Sequence, residues 1–200
     1  VPLDGFKLDQ GAEVRGRVVG YPDGMGLPGI EVLARDPLGA SALALTDAGG
    51  EFSLADVEPG PIRLQARAPM TTNRIGAYLG DVSTFCAATV LLANDEAPLL
   101  GLRIELPQGG SIAGTVRDVD GTPTAATLVA QGLGALESNV VRRGDAEADG
   151  GFVITGLSSW MDGDGVALPG AYRLSAALPG EPPFFVPGTW DVADAALIPA

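Results

Sequence analysis

Few side chains in this sequence could perform acid–base or nucleophilic catalysis. The chain contains no histidine, the side chain that most often exchanges protons near neutral pH. Serine–histidine and cysteine–histidine nucleophilic systems are therefore excluded, and no glycine-rich phosphate loop opens a helix. The acidic residues fall largely in turn-like stretches rich in aspartate and glycine, as at Asp23, Asp47, Asp118, Asp120, Asp149 and Asp162. We expect a protein that is not an enzyme and that holds no cofactor.

One short stretch could bind a metal ion. In Asp162-Gly163-Asp164-Gly165, carboxylates at alternate positions could present oxygen ligands to Ca²⁺. The third aspartate and the distal glutamate of a calcium-binding loop are not there, so a solvated turn is the favoured interpretation. Asp162 and Asp164 remain a weak calcium candidate.

Aromatic side chains could provide stacking platforms for sugars. Packing in a hydrophobic core is the competing interpretation, and we favour it because Tyr78 and Phe185 follow equivalent stretches in two halves of the chain. Trp160 is the exception, since it lies in a stretch without a counterpart. The residues concerned are Tyr78, Trp160, Phe184, Phe185 and Trp190.

Charge and apolar runs restrict the partners. Twelve Lys+Arg against 25 Asp+Glu give a net charge of −13, which repels phosphate backbones, so we expect no nucleic-acid partner. The longest apolar run, residues 85–93, is too short to cross a bilayer. The single cysteine, Cys86, lies within this run, and we expect it to be a small buried hydrophobe.

Glycine and proline punctuate the whole sequence. With 29 Gly, 16 Pro and 46% hydrophobic residues, the composition favours short strands joined by tight turns. Val14, Gly16 and Val18 alternate with charged residues, which is typical of a strand with one buried face. No long window shows the apolar spacing of an amphipathic helix. The sequence therefore predicts an all-β fold.

Four landmarks occur twice in the same order, about one hundred residues apart, which indicates two self-sufficient domains rather than a short-period solenoid. Each copy has a segment of alternating apolar and charged residues that begins with glycine, then a Gly-x-Val strand, a Gly-x-Phe strand and a Pro-Gly strand. The matched stretches are 5–9 with 101–105, 10–18 with 108–116, 50–52 with 150–152, and 59–66 with 169–176.

This order of motifs resembles the carboxypeptidase regulatory-like (transthyretin-like, prealbumin-like) family. The first copy carries the motifs at Gly16-Arg17-Val18, Asp23-Gly24, 47–52 and 59–66, and the second carries them at Gly114-Thr115-Val116, Asp120-Gly121, 149–152 and 169–176. The resemblance implies two tandem immunoglobulin-like antiparallel β-sandwiches and an extracytoplasmic accessory or surface role. It implies no ligand. The second copy departs from the pattern by an insertion between Leu157 and Pro169.

A strand is displaced relative to this pattern. Residues 101–106 end the first domain, and residues 5–9 resemble them but precede a domain that they do not belong to. We therefore predict a donor-type strand at 1–10, a first sandwich at 11–106, and a second sandwich at 107–200 that lacks its last strand. The stretch before Ala200 resembles residues 89–92, so the two chain ends match. The expected interface residues are Leu3, Phe6, Leu8, Leu197 and Ile198.

Two hypotheses about function follow. In the first, the chain is a structural subunit of an extracellular filament or cell-surface assembly, and copies join head to tail when residues 1–10 enter the second domain of a neighbour. In the second, the chain is a slice of a longer tandem-repeat surface protein and acts as a carbohydrate- or protein-binding accessory module. The sequence leaves both open.

Overall fold

The computed structural model describes residues 11–82, 85–132, 141–158, 160–161, 167–168, 171–178, 180–185 and 197–199. These residues form β-strands, turns and bends and contain no helix, so the all-β prediction is confirmed. A search of the same residues for a helix able to cross a membrane finds none.

The chain divides into two compact units. The first comprises the described residues up to Pro69 together with Gly76–Pro107. The second comprises Met70–Ile75 and the described residues from Gln108 onward. Sequence analysis did not anticipate that Met70–Ile75, between two strands of the first unit, would pack in the second.

The described residues of the first unit form eight strands. They are β1 (Ala12–Tyr21), β2 (Glu31–Asp36), β3 (Gly39–Leu45), β4 (Glu51–Val57), β5 (Gly60–Arg67), β6 (Ala77–Tyr78), β7 (Leu91–Ala93) and β8 (Leu99–Pro107). One sheet has the order β4-β1-β8, and the other has the order β3-β2-β5-β6, with β7 also paired to β5. The inward side chains of both sheets form one buried core, which includes Val14, Val18, Val32, Leu54, Leu64, Ile104 and Leu106.

In the second unit, nine strands lie within the part of the chain that the structure describes. They are β9 (Gly110–Thr115), β10 (Ala126–Gly132), β11 (Val141–Ala146), β12 (Gly151–Leu157), β13 (Trp160–Met161), β14 (Ala167–Leu168), β15 (Ala171–Ala177), β16 (Phe184–Phe185) and β17 (Leu197–Pro199). β12 pairs with β9, β13 pairs with β14, and the larger sheet has the order β11-β10-β15-β16, with β17 also paired to β15. The core of this unit includes Ile112, Leu128, Ala130, Ile154, Tyr172 and Leu174.

The direction of β8 differs from the antiparallel expectation. β8 runs parallel to β1, with Gly16 opposite Leu102 and Val18 opposite Ile104, while the other pairings between described strands are antiparallel. Alternation of apolar residues is the same for either direction, so the sequence pattern could not distinguish them.

Aspartates act in the turns as the sequence predicts. Oδ1 of Asp47 accepts hydrogen bonds from the backbone N–H groups of Gly49 at 2.8 Å and Glu51 at 2.9 Å. Oδ1 of Asp149 accepts from the N–H of Gly151 at 2.8 Å in the corresponding turn of the second unit. These bonds fix each turn before a core strand and leave the carboxylates occupied with backbone donors.

Polar contacts hold Met70–Ile75 in the second unit. Oδ1 of Asn73 accepts from the Gly156 N–H at 2.9 Å, and the Asn73 carbonyl accepts from the Gly109 N–H at 3.3 Å. The Arg142 guanidinium donates to the carbonyls of Gly156 at 3.1 Å and Arg74 at 3.3 Å. Burial lowers the pKa of Arg142, and the electrostatic interaction with nearby Tyr172 opposes this shift. Because a guanidinium remains protonated in proteins, these hydrogen bonds are charge-assisted.

Cys86 is exposed, so the prediction that it is buried is wrong. The residues around it form turns and a bend rather than a strand. In such a segment an apolar run has no fixed inward face, and its composition alone does not decide burial.

Candidate functional site

The exposed edge of β9 is the feature that sets the two units apart. In the first unit, β1 lies between β4 and β8. In the second unit, β9 pairs with β12, and no other described strand pairs with it. Backbone donors and acceptors along a free strand edge favour the addition of another strand.

β1 and β9 occupy equivalent positions in their units. Gly16 lies opposite Phe52 across the β1–β4 pair, and Gly114 lies opposite Phe152 across the β9–β12 pair. The next hydrogen bonds also correspond, because the N–H of Val18 donates to Gly50 at 2.8 Å and the N–H of Val116 donates to Gly150 at 2.8 Å. The edge of β9 is therefore the edge that β8 covers on β1.

The close approach of β8 explains the glycine at position 16. A Cβ on Gly16 would collide with the carbonyl oxygen of Leu102 in β8 and with the Phe52 ring. The three atoms nearest to a Cβ on Gly114 would all belong to the Phe152 ring, the nearest at 2.9 Å, and none of them to a strand on the other side. The same glycine is present where no neighbouring strand requires it among the described residues.

Burial falls along the exposed edge. Val18 is fully buried and Phe52 is 4% exposed, whereas their counterparts Val116 and Phe152 are only partly buried against the second core. Gly16 is buried and Gly114 is exposed. The second core is thus incompletely covered at the position that Leu102 and Ile104 occupy in the first.

Charges do not protect this edge. The outward residues of β1 are the charged Glu13, Arg15 and Arg17. Those of β9 are uncharged and exposed, and they are Ser111, Ala113 and Thr115. Soluble proteins commonly guard free strand edges with charged side chains. Sequence analysis did not identify this uncharged edge, although comparison of the two matched strands would have revealed it.

The predicted interface residues fall partly outside the described residues. Leu3, Phe6 and Leu8 lie there. Leu197 and Ile198 belong to β17, whose backbone pairs with β15 with Ile198 opposite Tyr172. In the first unit, Leu91 of β7 lies opposite Ile62 in the same way. Leu197 and Ile198 are thus part of the second unit's own larger sheet, which is a different sheet from that of β9.

The remaining candidates give no site in the described part of the chain. Asp162 and Asp164 lie outside it, and no group of three or more acidic or cysteine side chains within it could hold a metal ion. A shallow depression of about 340 Å³, lined by Glu13, Asp56 and Asp95 among others, lies at one end of the first unit.

Among the candidate aromatic residues whose side chains the structure describes, Tyr78 is buried and Phe184 is half-buried. Tyr78 is 8% exposed, and its ring makes an edge contact with Phe85 at 6.1 Å between centroids. The Arg63 guanidinium lies over the Phe85 ring at 4.5 Å. Tyr78 therefore packs as predicted, and Phe85 presents no free face for a sugar on the side that Arg63 occupies. The side chains of Trp160 and Phe185, and all of Trp190, lie outside the described structure.

Comparisons with known proteins identify distant structural similarity alone. No family model matches the sequence, and no curated protein matches it. The resemblance to the carboxypeptidase regulatory-like family therefore stays a prediction.

Solved structures similar to this chain include the Bacillus anthracis TIE protein, with 12% identity, a TM-score of 0.38, and coverage of 88% of this chain and 31% of that one. A streptococcal ancillary pilin has 15% identity and a TM-score of 0.39, with coverage of 91% of this chain and 60% of that one. The chain thus spans less than two thirds of either protein. At these TM-scores the matches assign no function to this chain.

Proposed function

We propose that this chain is a non-enzymatic structural subunit of an extracellular or cell-surface assembly. Copies join head to tail when residues 1–10 of one copy add a strand to the second unit of the next. The contact uses two different surfaces of each subunit, so it does not saturate in a dimer and can extend into a filament.

The observation that carries this proposal is the difference between β1 and β9. β8 covers β1, buries Ile104 completely and packs Leu102 against the core. The equivalent edge of β9 has no partner among the described strands and exposes Gly114. Burying two such side chains stabilises a domain by roughly 1.5–3 kcal/mol each, so an added strand would stabilise the second unit substantially.

Residues 1–10 are the proposed donor strand because part of their sequence resembles β8. Residues 5–9, Gly-Phe-Lys-Leu-Asp, match residues 101–105 of β8, Gly-Leu-Arg-Ile-Glu, in size, polarity and order. A segment that resembles β8 is the natural occupant of a position that β8 fills in the first unit. Phe6 and Leu8 would supply the apolar contacts.

Removal of residues 1–10 tests the proposal. Mass photometry of the full chain should show multimers that grow with concentration, and the shortened chain should be monomeric. Adding a synthetic peptide of residues 1–10 to the shortened chain should slow amide exchange in β9. A peptide carrying Phe6→Asp and Leu8→Asp is the matched control and should have no effect.

A full chain that stays monomeric throughout the titration, together with unchanged exchange in β9 on addition of the peptide, would contradict self-assembly. It would favour the alternative that the second unit receives its last strand from elsewhere in a longer tandem protein.

A further inference from the structure

The pairing of β8 with β1 supplies a residue-by-residue template for the donor. Leu99 lies opposite Val14, Leu102 opposite Gly16, Arg103 opposite Arg17, and Ile104 opposite Val18, all in the parallel direction. Leu102 and Leu99 pack against the core, and Ile104 is fully buried.

The sequence match extends across this whole template. Residues 2–9 are Pro-Leu-Asp-Gly-Phe-Lys-Leu-Asp, and residues 98–105 are Pro-Leu-Leu-Gly-Leu-Arg-Ile-Glu. The apolar residues fall at the same three inward positions, where Leu3, Phe6 and Leu8 replace Leu99, Leu102 and Ile104. The charged residues that follow Phe6 and Leu8 keep the sign of those in β8.

A β-bulge makes the template more specific. The register shifts between Val14 and Gly16, where β8 has two residues against one on β1. The extra segment contains Gly101, with φ of 70°, a left-handed conformation that favours glycine. Gly5 is the corresponding residue of the donor, so the donor can form the same bulge.

The donor strand is shorter than β8, and its acceptor β9 is shorter than β1. The donor lacks counterparts of Leu106 and Pro107, which lie opposite Gly20 and Tyr21 at the end of β1. β9 correspondingly ends at Thr115, whereas β1 continues to Tyr21. In the second unit, Asp118 begins a turn at the position of Gly20 and its Oδ1 accepts from the Thr122 N–H at 2.8 Å.

We infer that the donor strand enters parallel to β9, with Leu3 opposite Ile112, Phe6 opposite Gly114, and Leu8 opposite Val116, and with Gly5 in a bulge. This inference rests on the proposed function and adds the direction and register of the strand. Phe6 then lies over the backbone of Gly114, which has no side chain to exclude it. Asp9 comes opposite exposed Arg117, a complementary pair.

Paired cysteines test the direction. Parallel insertion places Lys7 opposite Thr115, on the outward face, whereas antiparallel insertion about the same Phe6–Gly114 pair places Lys7 opposite Ala113. In full-length chains with Cys86→Ser, Lys7→Cys with Thr115→Cys should give about tenfold more oxidised dimer and multimer than Lys7→Cys with Ala113→Cys, since disulfides need short Cα distances.

The bulge has its own test. Gly5→Val should abolish multimers in mass photometry because a β-branched residue disfavours positive φ. The neighbouring change Asp4→Val should keep them. Multimers that persist in Gly5→Val, or preferential cross-linking through position 113, overturn the register and leave the proposed function standing. Loss of multimers from the Cys86→Ser parent, which has neither paired cysteine, overturns the proposed function itself.

Discussion

The two units have the same strand pairings around their central sheets but differ at one edge. β1 and β9 share their glycine and their aromatic partner across the sheet, and only β1 has a strand on its other side among the described residues. A repeated sequence can therefore reproduce local strand pairing while the edge of the same sheet is covered by a strand in one copy and lacks a described partner strand in the other.

The largest effect should come from removing equivalent side chains of the two β8-like segments. Ile104→Ala should destabilise the first unit by about 2–5 kcal/mol, because it leaves a cavity in a fully buried position. Leu8→Ala should leave the first unit's stability unchanged and weaken association. Amide exchange measured in β1 and β9 at increasing denaturant concentration gives the stability of each unit in both variants. Ile104→Ala should lower protection in β1, and Leu8→Ala should lower it in β9. Loss of protection in β1 on Leu8→Ala would show that residues 1–10 serve the first unit instead.

A buried tyrosine in the second core stands where the first core has an isoleucine. The hydroxyl of fully buried Tyr172 accepts from the Ser158 N–H at 2.8 Å, and the equivalent residue of the first unit is Ile62. Tyr172→Phe should destabilise the second unit by about 1–3 kcal/mol, because the buried Ser158 amide loses its partner. Thermal unfolding monitored by exchange in β15 measures this. Ile62→Val, a small apolar change, is the control and should affect β5 alone.

One substitution tests how much Met70–Ile75 contributes to the stability of the second unit. Asn73→Ala removes the acceptor of the Gly156 N–H and should destabilise the second unit by about 1 kcal/mol. The neighbouring exposed change Thr71→Ala should have little effect on either unit. Amide exchange at Gly156 reports the loss directly, and unchanged exchange there would mean that the carbonyl and guanidinium contacts suffice.

The smallest effect concerns a strained position. Asp56 has φ of 56°, and Gly156 has φ of 71° at the equivalent site. Asp56→Gly should stabilise the first unit by about 0.5 kcal/mol, because glycine adopts positive φ at little steric cost. Ala55→Gly, one residue earlier in β4, should instead destabilise it by about 0.5–1 kcal/mol. Urea midpoints of the two variants should move in opposite directions.

Sequence patterns predicted the parts of this fold that local chemistry determines. The density of glycine and proline indicated strands, and the motif order located the equivalence of Tyr78 and Phe185, which lie opposite Gln65 and Ser175 at matching positions. The resemblance of residues 89–92 to the stretch before Ala200 did not fix the register, in which Ile198 lies opposite Tyr172 as Leu91 lies opposite Ile62. Short apolar stretches contain too little information to fix register.

Contacts between residues far apart in the sequence could not be predicted from it. The parallel direction of β8 depends on how the chain crosses between the sheets. The alternation of apolar and polar residues is the same for parallel and antiparallel strands, so it does not indicate that direction. The Asn73–Gly156 bond joins residues 83 positions apart, and an asparagine in a loop gives no sign of such a partner. The exposed edge of β9 was only half predicted, through the displaced strand and not through the uncharged residues that leave it accessible.

Because Met70–Ile75 packs in the second unit, its position limits how the two units can be exchanged between proteins by recombination. A recombination event that exchanged the segment after Pro107 for another β-domain would separate Gly156 and Arg142 from the loop that contacts them. The incoming domain would need new donors for the Asn73 and Arg74 carbonyl groups, which remain in the loop and now accept from Gly109 and Arg142. We therefore expect the two units to be duplicated, lost or transferred together, and the boundary at Pro107 to be a poor point for domain shuffling even though the polypeptide passes between units there.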